Sequence, residues 1–327
     1  MEILITGGAG FLGQQLIRKL LDNGTVTLDG KPHPISRIVC FDQAEGRIVD
    51  PKVANVAGSI ADPATVSSLV NRDTRVVVHL AAVVSGTAEA NFELGMRVNL
   101  DGTRNLLEAC RAVGTQPRVL FSSSIAVFGG DLPPLVTDAT TPTPQGSYGA
   151  QKLIGEVLVQ DYSRKGFIDG RSVRVPTVVV RPGTPNGAAS GFASGIIREP
   201  LAGVEAILPV DPSTEMWIAS PRAVVGMFLH ALGLPAADWG WHRSLNLPGL
   251  VASMHEEMAA LRKVGGDAAV ALVRHQPDEN VMRLVRTWAA RFDTSRALAM
   301  GFRADSDFDA IVRAYVEDNA AAVRLKA

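Results

Sequence analysis

The sequence predicts an α/β fold: a doubly wound, mostly parallel sheet covered by helices on both faces, with a smaller, discontinuous C-terminal lobe. Three observations predict it. Short β-branched runs alternate with longer amphipathic stretches up to residue 182. The runs are almost continuously apolar, as strands buried on both faces must be. After residue 182 the alternation weakens and glycine and small residues take over. A chain of 327 residues is long enough to bury a large core and carry an appended lobe.

In chain order, "EILIT" (2–6) reads as the first strand, followed by a glycine-rich turn and the helix "FLGQQLIRKLL". The Gly- and Pro-containing stretch "NGTVTLDGKPHPIS" (23–36) reads as a surface excursion or small hairpin. Strands follow at "RIVCFD" (37–42), "VANVAG" (53–58), "RVVVHLAA" (75–82), "RVLFSSS" (118–124) and "VPTVVVRP" (175–182), with helical patterns at 88–113 and 147–165. The segment 183–203 is expected to wall a ligand cleft. Short strands at 205–210 and 215–220 precede a helix starting near Pro221, and helical patterns at 251–264, 279–289 and 306–319 complete the chain. The expected division is a sheet domain over 1–182, with 215–247 returning to it, and a substrate-binding lobe over 183–214 and 248–327.

Composition narrows the function. Hydrophobic residues make up 46% and charged residues 20%, with a net charge of −1, so no basic field is available to grip a nucleic acid. The start "MEILITGG" lacks a leader pattern and no apolar run approaches a membrane span. A cytoplasmic protein without membrane or nucleic-acid partners is expected. Cys40 and Cys110 form neither a disulfide framework nor a metal-ligand spacing, and no histidine has a partner at ligand spacing. No metal is expected, and His79 reads as a hydrogen-bonded core residue. Trp239 and Trp241 read as packing of the small lobe.

"TGGAGFLG" (6–13) lies between the first strand and first helix and places Gly7, Gly10 and Gly13 in the spacing G-x-x-G-x-x-G. Such a turn lets the backbone approach a pyrophosphate while the helix N-terminus points unpaired N–H groups at it. Asp42 ends the following buried strand, where a carboxylate accepts both adenosine-ribose hydroxyls and repels a 2′-phosphate. The pattern predicts a Rossmann-type site for NAD rather than NADP, although Arg47 stands near enough to serve a phosphate. "SYGAQK" places Tyr148 and Lys152 four apart on one helix face. An ammonium beside a phenol stabilises the phenolate, converting a group that titrates near ~10 into a usable base.

Together "TGGAGFLG", "HLAA", "NLDGT", "SSSIAVFG" and "SYGAQK" resemble the extended short-chain dehydrogenase/reductase superfamily, the NAD-dependent epimerase/dehydratase group. The resemblance implies that Ser124 hydrogen-bonds the reacting oxygen, Tyr148 exchanges its proton, and Lys152 holds the nicotinamide ribose and lowers the tyrosine pKa. It also implies that Gly7, Gly10, Phe11, Leu12, Gly13, Asp42, Leu80, Ala81, Ala82, Asn99, Ser122, Tyr148, Lys152 and Pro182 line the cofactor. Ser59 departs from the acid usual near the adenine, leaving Ser59 and Ile60 to make backbone contacts there.

Dehydratases of the group carry an Asp and a Glu directly after the first reactive hydroxyl; here Ile125 and Ala126 stand there. Elimination chemistry is therefore not expected, and epimerase and dehydrogenase remain. The stretches "AAVVSGTAEANFELGMRVNLDGT", "YSRKGFIDGRSVRVPTVVVRPGTPN", "ASGFASGIIREPLAG" and "DFDAIVRAYVED" resemble one branch, the dehydrogenases that oxidise the four-carbon sugar acid D-erythronate at C2. For its carboxylate the expected donors are Ser85, Thr87, Thr184 and Asn186, beside Ser124 and Tyr148. Arg181 reads as a joint between the lobes, with carboxylate pairing as its alternative. A homodimer through the two long helices is expected. The competing readings are an NAD-retaining nucleotide-sugar 4-epimerase and a non-catalytic dinucleotide sensor.

Overall fold

The computed structural model describes residues 1–184 and 188–325. β1 (Glu2–Thr6) is wholly buried and passes through the glycine turn into α1 (Phe11–Asn23). The hairpin β2 (Thr25–Leu28) and β3 (Lys31–Pro34) follows, as the turn residues imply. Then come β4 (Arg37–Asp42), β5 (Val53–Ala57), α2 (Pro63–Leu69) and β6 (Thr74–His79). Asp62 fixes the start of α2 by accepting the Ala64 and Thr65 N–H groups ahead of Pro63.

The helix expected over 88–113 is broken into α3 (Ser85–Ala90), α4 (Phe92–Gly95), a π-helical turn at Met96–Asp101 and α5 (Gly102–Val113). β7 (Arg118–Ser124) and α6 (Ser147–Arg164) lie close to their predicted bounds. The expected strand at 175–182 is displaced: the sheet takes β8 (Asp169–Val175), and the chain then forms β9 (Thr177–Val178) in another sheet. The cause is polar burial. Arg171 and Arg174 lie inside β8, the first donating to the Ala231, Leu232 and Leu234 carbonyls and the second paired with Glu156, so the strand lacks an apolar signature.

Beyond it are α7 (Gly191–Leu201), β10 (Ala206–Leu208), β11 (Glu215–Ala219), α8 (Pro221–Gly233), α9 (Ala236–Trp239), β12 (Ser244–Asn246) and β13 (Leu250–Ser253). The chain ends with α10 (Met254–Val270, kinked at Gly266), β14 (Val273–His275), α11 (Glu279–Val285), α12 (Ser295–Ala299) and α13 (Phe308–Asp318).

The seven-stranded sheet runs β12-β8-β7-β6-β1-β4-β5, with every pair parallel. Alternate residues of each strand feed opposite cores. Ile3, Ile5, Val76 and Val78 pack with α1 and α8, whereas Leu4, Val77 and Val119 pack with α5 and α6. The strand order reverses between β1 and β6, which opens a crevice at their carboxyl ends. A third core joins α7, α10 and α13 beside the sheets β10-β14 and β13-β11-β9. Trp239 packs not there but in the main core against Phe302, and Trp241 is exposed. No helix among the described residues is long and apolar enough to cross a membrane.

Glu257 on α10 is fully buried, and neither carboxylate oxygen is hydrogen-bonded among the described residues. Burial, then the charge of Glu256, pushes its carboxyl well above the usual 4.5. The unfolded chain releases this proton near 4.5 while the folded protein retains it, so its contribution is complete below that pH and is lost as pH rises toward the folded value. Glu257→Gln should therefore raise the thermal midpoint by roughly 3 °C or more near pH 8, with the gap closing toward about pH 5. Melting curves across that range decide it: a gap that does not change with pH contradicts a titrating carboxyl.

Candidate active site

The crevice contains a cavity of ≈ 920 Å³ bounded by the glycine turn, the ends of β6 and β7, the start of α6 and the small lobe. At its floor the backbone is too close for side chains. A Cβ on Gly7 would meet the Ala81 nitrogen at 2.7 Å, and one on Gly13 would meet the Gly7 carbonyl oxygen at 2.4 Å. α1 starts there with no side-chain cap, so its first N–H groups face the cavity with the helix dipole behind them. Asp42 lies off the cavity wall and accepts the Ala9 (3.1 Å) and Ala44 (3.3 Å) N–H groups, bracing the turn. This cradle, dipole and carboxylate fit a dinucleotide: Gly7, Gly10, Phe11, Leu12 and Gly13 would hold its pyrophosphate and Asp42 its ribose.

The wall at Leu80 to Ala82 is set by a buried hydrogen-bond chain. Thr103 Oγ1 donates to the Asn99 carbonyl, so it accepts from His79 Nε2 at 2.9 Å. His79 Nδ1 is then the acceptor of the Thr6 hydroxyl at 2.6 Å, and Thr6 Oγ1 takes the Ala81 N–H. Burial, then the Lys152 charge, pushes His79 down to about 3, so the imidazole is neutral and its tautomer fixed. Asn99, turned inward by the π-helical turn, holds both backbone groups of Val83 and the Gln151 side chain.

At the end of β7 the three serines part company. Ser122 lies on the wall and its carbonyl accepts Lys152 Nζ at 2.8 Å; Ser123 points into the core and donates to Glu156 at 2.5 Å; Ser124 accepts the Ala126 N–H at 3.1 Å. Gly149 lets α6 come against this turn, since a Cβ there would lie 2.1 Å from the Ala126 carbonyl oxygen. The approach sets Tyr148 beside Ser124 on the same cavity wall. Lys152 Nζ lies 5.6 Å from the Tyr148 ring centroid and 4.8 Å from that of Phe121.

Burial pushes the phenol up to about 12, against the nearby Ser124 hydroxyl and the Arg181 charge, which lower it. Burial likewise brings Lys152 down to about 8, against Glu156, which raises it. The Tyr148 phenol is thus held in its protonated form, and a positive charge brought beside it would lower its pKa.

Of the residues expected from sequence, Gly7, Gly10, Phe11, Leu12, Gly13, Leu80, Ala82, Ser85, Ser122, Ser124, Tyr148 and Lys152 share the cavity wall. Others do not. Pro182 lines a separate small hollow with Gln15 and Arg222. Thr87 sits within α3 off the wall and Thr184 is exposed. Ser59 caps its own turn, and Ile60 is buried with its carbonyl accepting from Asn105. Asn186 lies outside the described residues. Missed by sequence reasoning were Phe128, Met216, Trp217, Leu284 and Trp288, which also line the cavity; their approach depends on lobe packing and leaves no local signal.

The sequence pattern of the NAD dependent epimerase/dehydratase family matches residues 3–217. The chain is 53% identical to D-erythronate dehydrogenase of Cupriavidus necator over 97% of its own length and 98% of the relative. It is 41% identical to D-erythronate dehydrogenase of Haemophilus influenzae, covering 97% and 99%. A solved structure described as the nucleoside-diphosphate-sugar epimerase from Agrobacterium tumefaciens superposes with a TM-score of 0.93 at 43% identity, covering 98% of this chain and 95% of that one. On the family pattern and these near full-length relatives, the chain belongs to the NAD dependent epimerase/dehydratase family.

Proposed function

We propose that the protein is an NAD-dependent dehydrogenase that oxidises a four-carbon sugar acid, D-erythronate, at C2 to the 2-oxo acid. One observation carries the reading: Ser124, Tyr148 and Lys152 converge on one cavity whose wall continues through Ile125 and Ala126. The set can hold an alcohol oxygen and move its proton, and it supplies no acid at 125–126 to expel a hydroxide. The two dehydrogenase relatives match nearly end to end, which supports the substrate.

Bound NAD supplies the hydride acceptor and a positive charge. Ser124 donates a hydrogen bond to the substrate oxygen and fixes it against Tyr148. Tyr148, as phenolate, takes the C2 hydroxyl proton while the C2–H electron pair leaves with its hydrogen. Lys152, held by the Ser122 carbonyl, stabilises the phenolate. Exposed Ile154 and Val157 on α6 and Phe92 on α4 support a homodimer, and the unpaired buried Cys40 and Cys110 fit a reducing, cytoplasmic setting. The epimerase reading is favoured by the name of the Agrobacterium tumefaciens structure. It predicts interconversion of UDP-galactose without net NADH, whereas the dehydrogenase reading predicts NADH from NAD and D-erythronate.

Tyr148→Phe should lower kcat by ~1,000-fold while leaving NAD affinity unchanged; unchanged turnover in the NADH assay would remove Tyr148 from the mechanism. Lys152→Met removes the cation that favours phenolate, so the phenol titrates higher. The limb along which kcat/KM rises with pH should move alkaline by ~1 unit or more, and a pH–rate profile superimposable on that of the wild type contradicts the role.

A further inference from the structure

Among the described residues lining the cavity, Lys152 and Arg181 are the two with cationic side chains, and Lys152 is committed to the Ser122 carbonyl. Arg181 is tied to the protein at one end of its fork, where Nη2 donates to the Ser190 carbonyl (3.0 Å) and hydroxyl (2.9 Å). Its Nε and Nη1 donate to no described residue, and no described carboxylate pairs with it. The acids on the same wall are spoken for: Glu89 accepts the Ser147 N–H at 2.8 Å and Glu215 pairs with Arg291 at 2.7 Å. A second cation, Arg198, stands beside it and has its own carboxylate, Glu199.

A largely buried guanidinium next to another arginine and without an anion is costly unless a ligand provides one. Its desolvation and the neighbouring Arg198 bring it down to about 10, and it acts electrostatically on Tyr148. The backbone of Arg181 does the joining expected from sequence, through its N–H to Ser194 and its carbonyl from Arg198. The side chain is left for the cavity.

We infer that Arg181 binds the carboxylate of the substrate through its free donors, which makes a 2-hydroxy acid the substrate class of this site. The inference rests on the dehydrogenase reading above. A guanidinium edge matches a carboxylate in two parallel hydrogen bonds. Arg181 shares the cavity wall with Tyr148, an arrangement that suits a carboxylate carried on the carbon next to the reacting one. A nucleotide diphosphate at the same place would meet, among the described residues, one cation without a carboxylate partner and two acids.

The test compares D-erythronate with its neutral amide in the NADH assay, for wild type and Arg181→Gln, with UDP-galactose alongside. The wild type should prefer the acid by on the order of 100-fold in kcat/KM, and Arg181→Gln should abolish that preference mainly through KM. Binding of D-erythronate, read from the fluorescence of Trp217 and Trp288 on the wall, should weaken in parallel while NAD binding is kept. A variant whose KM for the acid stays within roughly threefold of wild type, with the preference intact, overturns the inference and leaves the dehydrogenase reading standing. If the variant does not fold, the wild type still decides: equal turnover of acid and amide overturns the role, and strong preference with competitive inhibition by oxalate supports it. UDP-galactose interconversion with no NADH from any acid sinks the dehydrogenase reading itself.

Discussion

The bidentate pair between Glu156 and Arg174 is the contact on which the arrangement of the site depends. Both side chains are almost fully buried, and each makes further bonds: Glu156 accepts the Ser123 hydroxyl, and Arg174 donates to Asn246 and lies 4.9 Å from the Phe128 ring centroid. One helix and three strands, α6 with β7, β8 and β12, are thereby fixed in register. Replacing such a pair by well-packed apolar groups is often neutral for stability, whereas removing one partner costs several kcal/mol. Its value lies in geometry: Glu156 sits one turn after Lys152 and Ser123 sits between Ser122 and Ser124, so the pair sets how the ammonium meets the strand end.

The same logic governs the cofactor floor. The chain Ala81–Thr6–His79–Thr103–Asn99 links β1, β6 and the turn entering α5 in one polarised direction. A neutral imidazole is required for it, because a doubly protonated ring has no acceptor for the Thr6 hydroxyl. The ends of β1 and β6 are the place where the strand order reverses, so a polar core network positions the walls between which a dinucleotide lies.

The sheet and the gathering of Gly7, Ser124, Tyr148 and Lys152 on one cavity were legible because their signals are local. Ile3 to Ile5 and Val76 to Val78 are apolar runs buried on both faces, and Gly7, Ser124, Tyr148 and Lys152 occupy fixed offsets beside strand and helix ends. β8 was not legible, because Arg171 and Arg174 satisfy their charges inside the protein and hydropathy cannot see partners distant in sequence. α7 was read as a cleft wall without helical structure, since Gly191, Ser194 and Gly195 are weak helix signals offset by burial of the helix against α10. Thr87 and Thr184 were placed by proximity in sequence to strand ends and Pro182 by the family resemblance, but none of the three lines the cavity. Arg181 carried a sequence signal, a cation at the end of an apolar run; that no described carboxylate pairs with it is visible only in three dimensions.

The position of β12 has a consequence for synthesis. Residues 244–246 complete the edge of the main sheet by pairing with Ser172 to Arg174, although the chain has meanwhile left to build β9, α7, β10 and β11 and returned through α8. A nascent chain that has not yet reached this strand presents β8 as an unpaired edge, with Arg174 short of its Asn246 contact, and open edges recruit other chains. The two halves of the cavity are consequently made by one interleaved path and cannot be exchanged as separate modules between related proteins by a single cut in the gene.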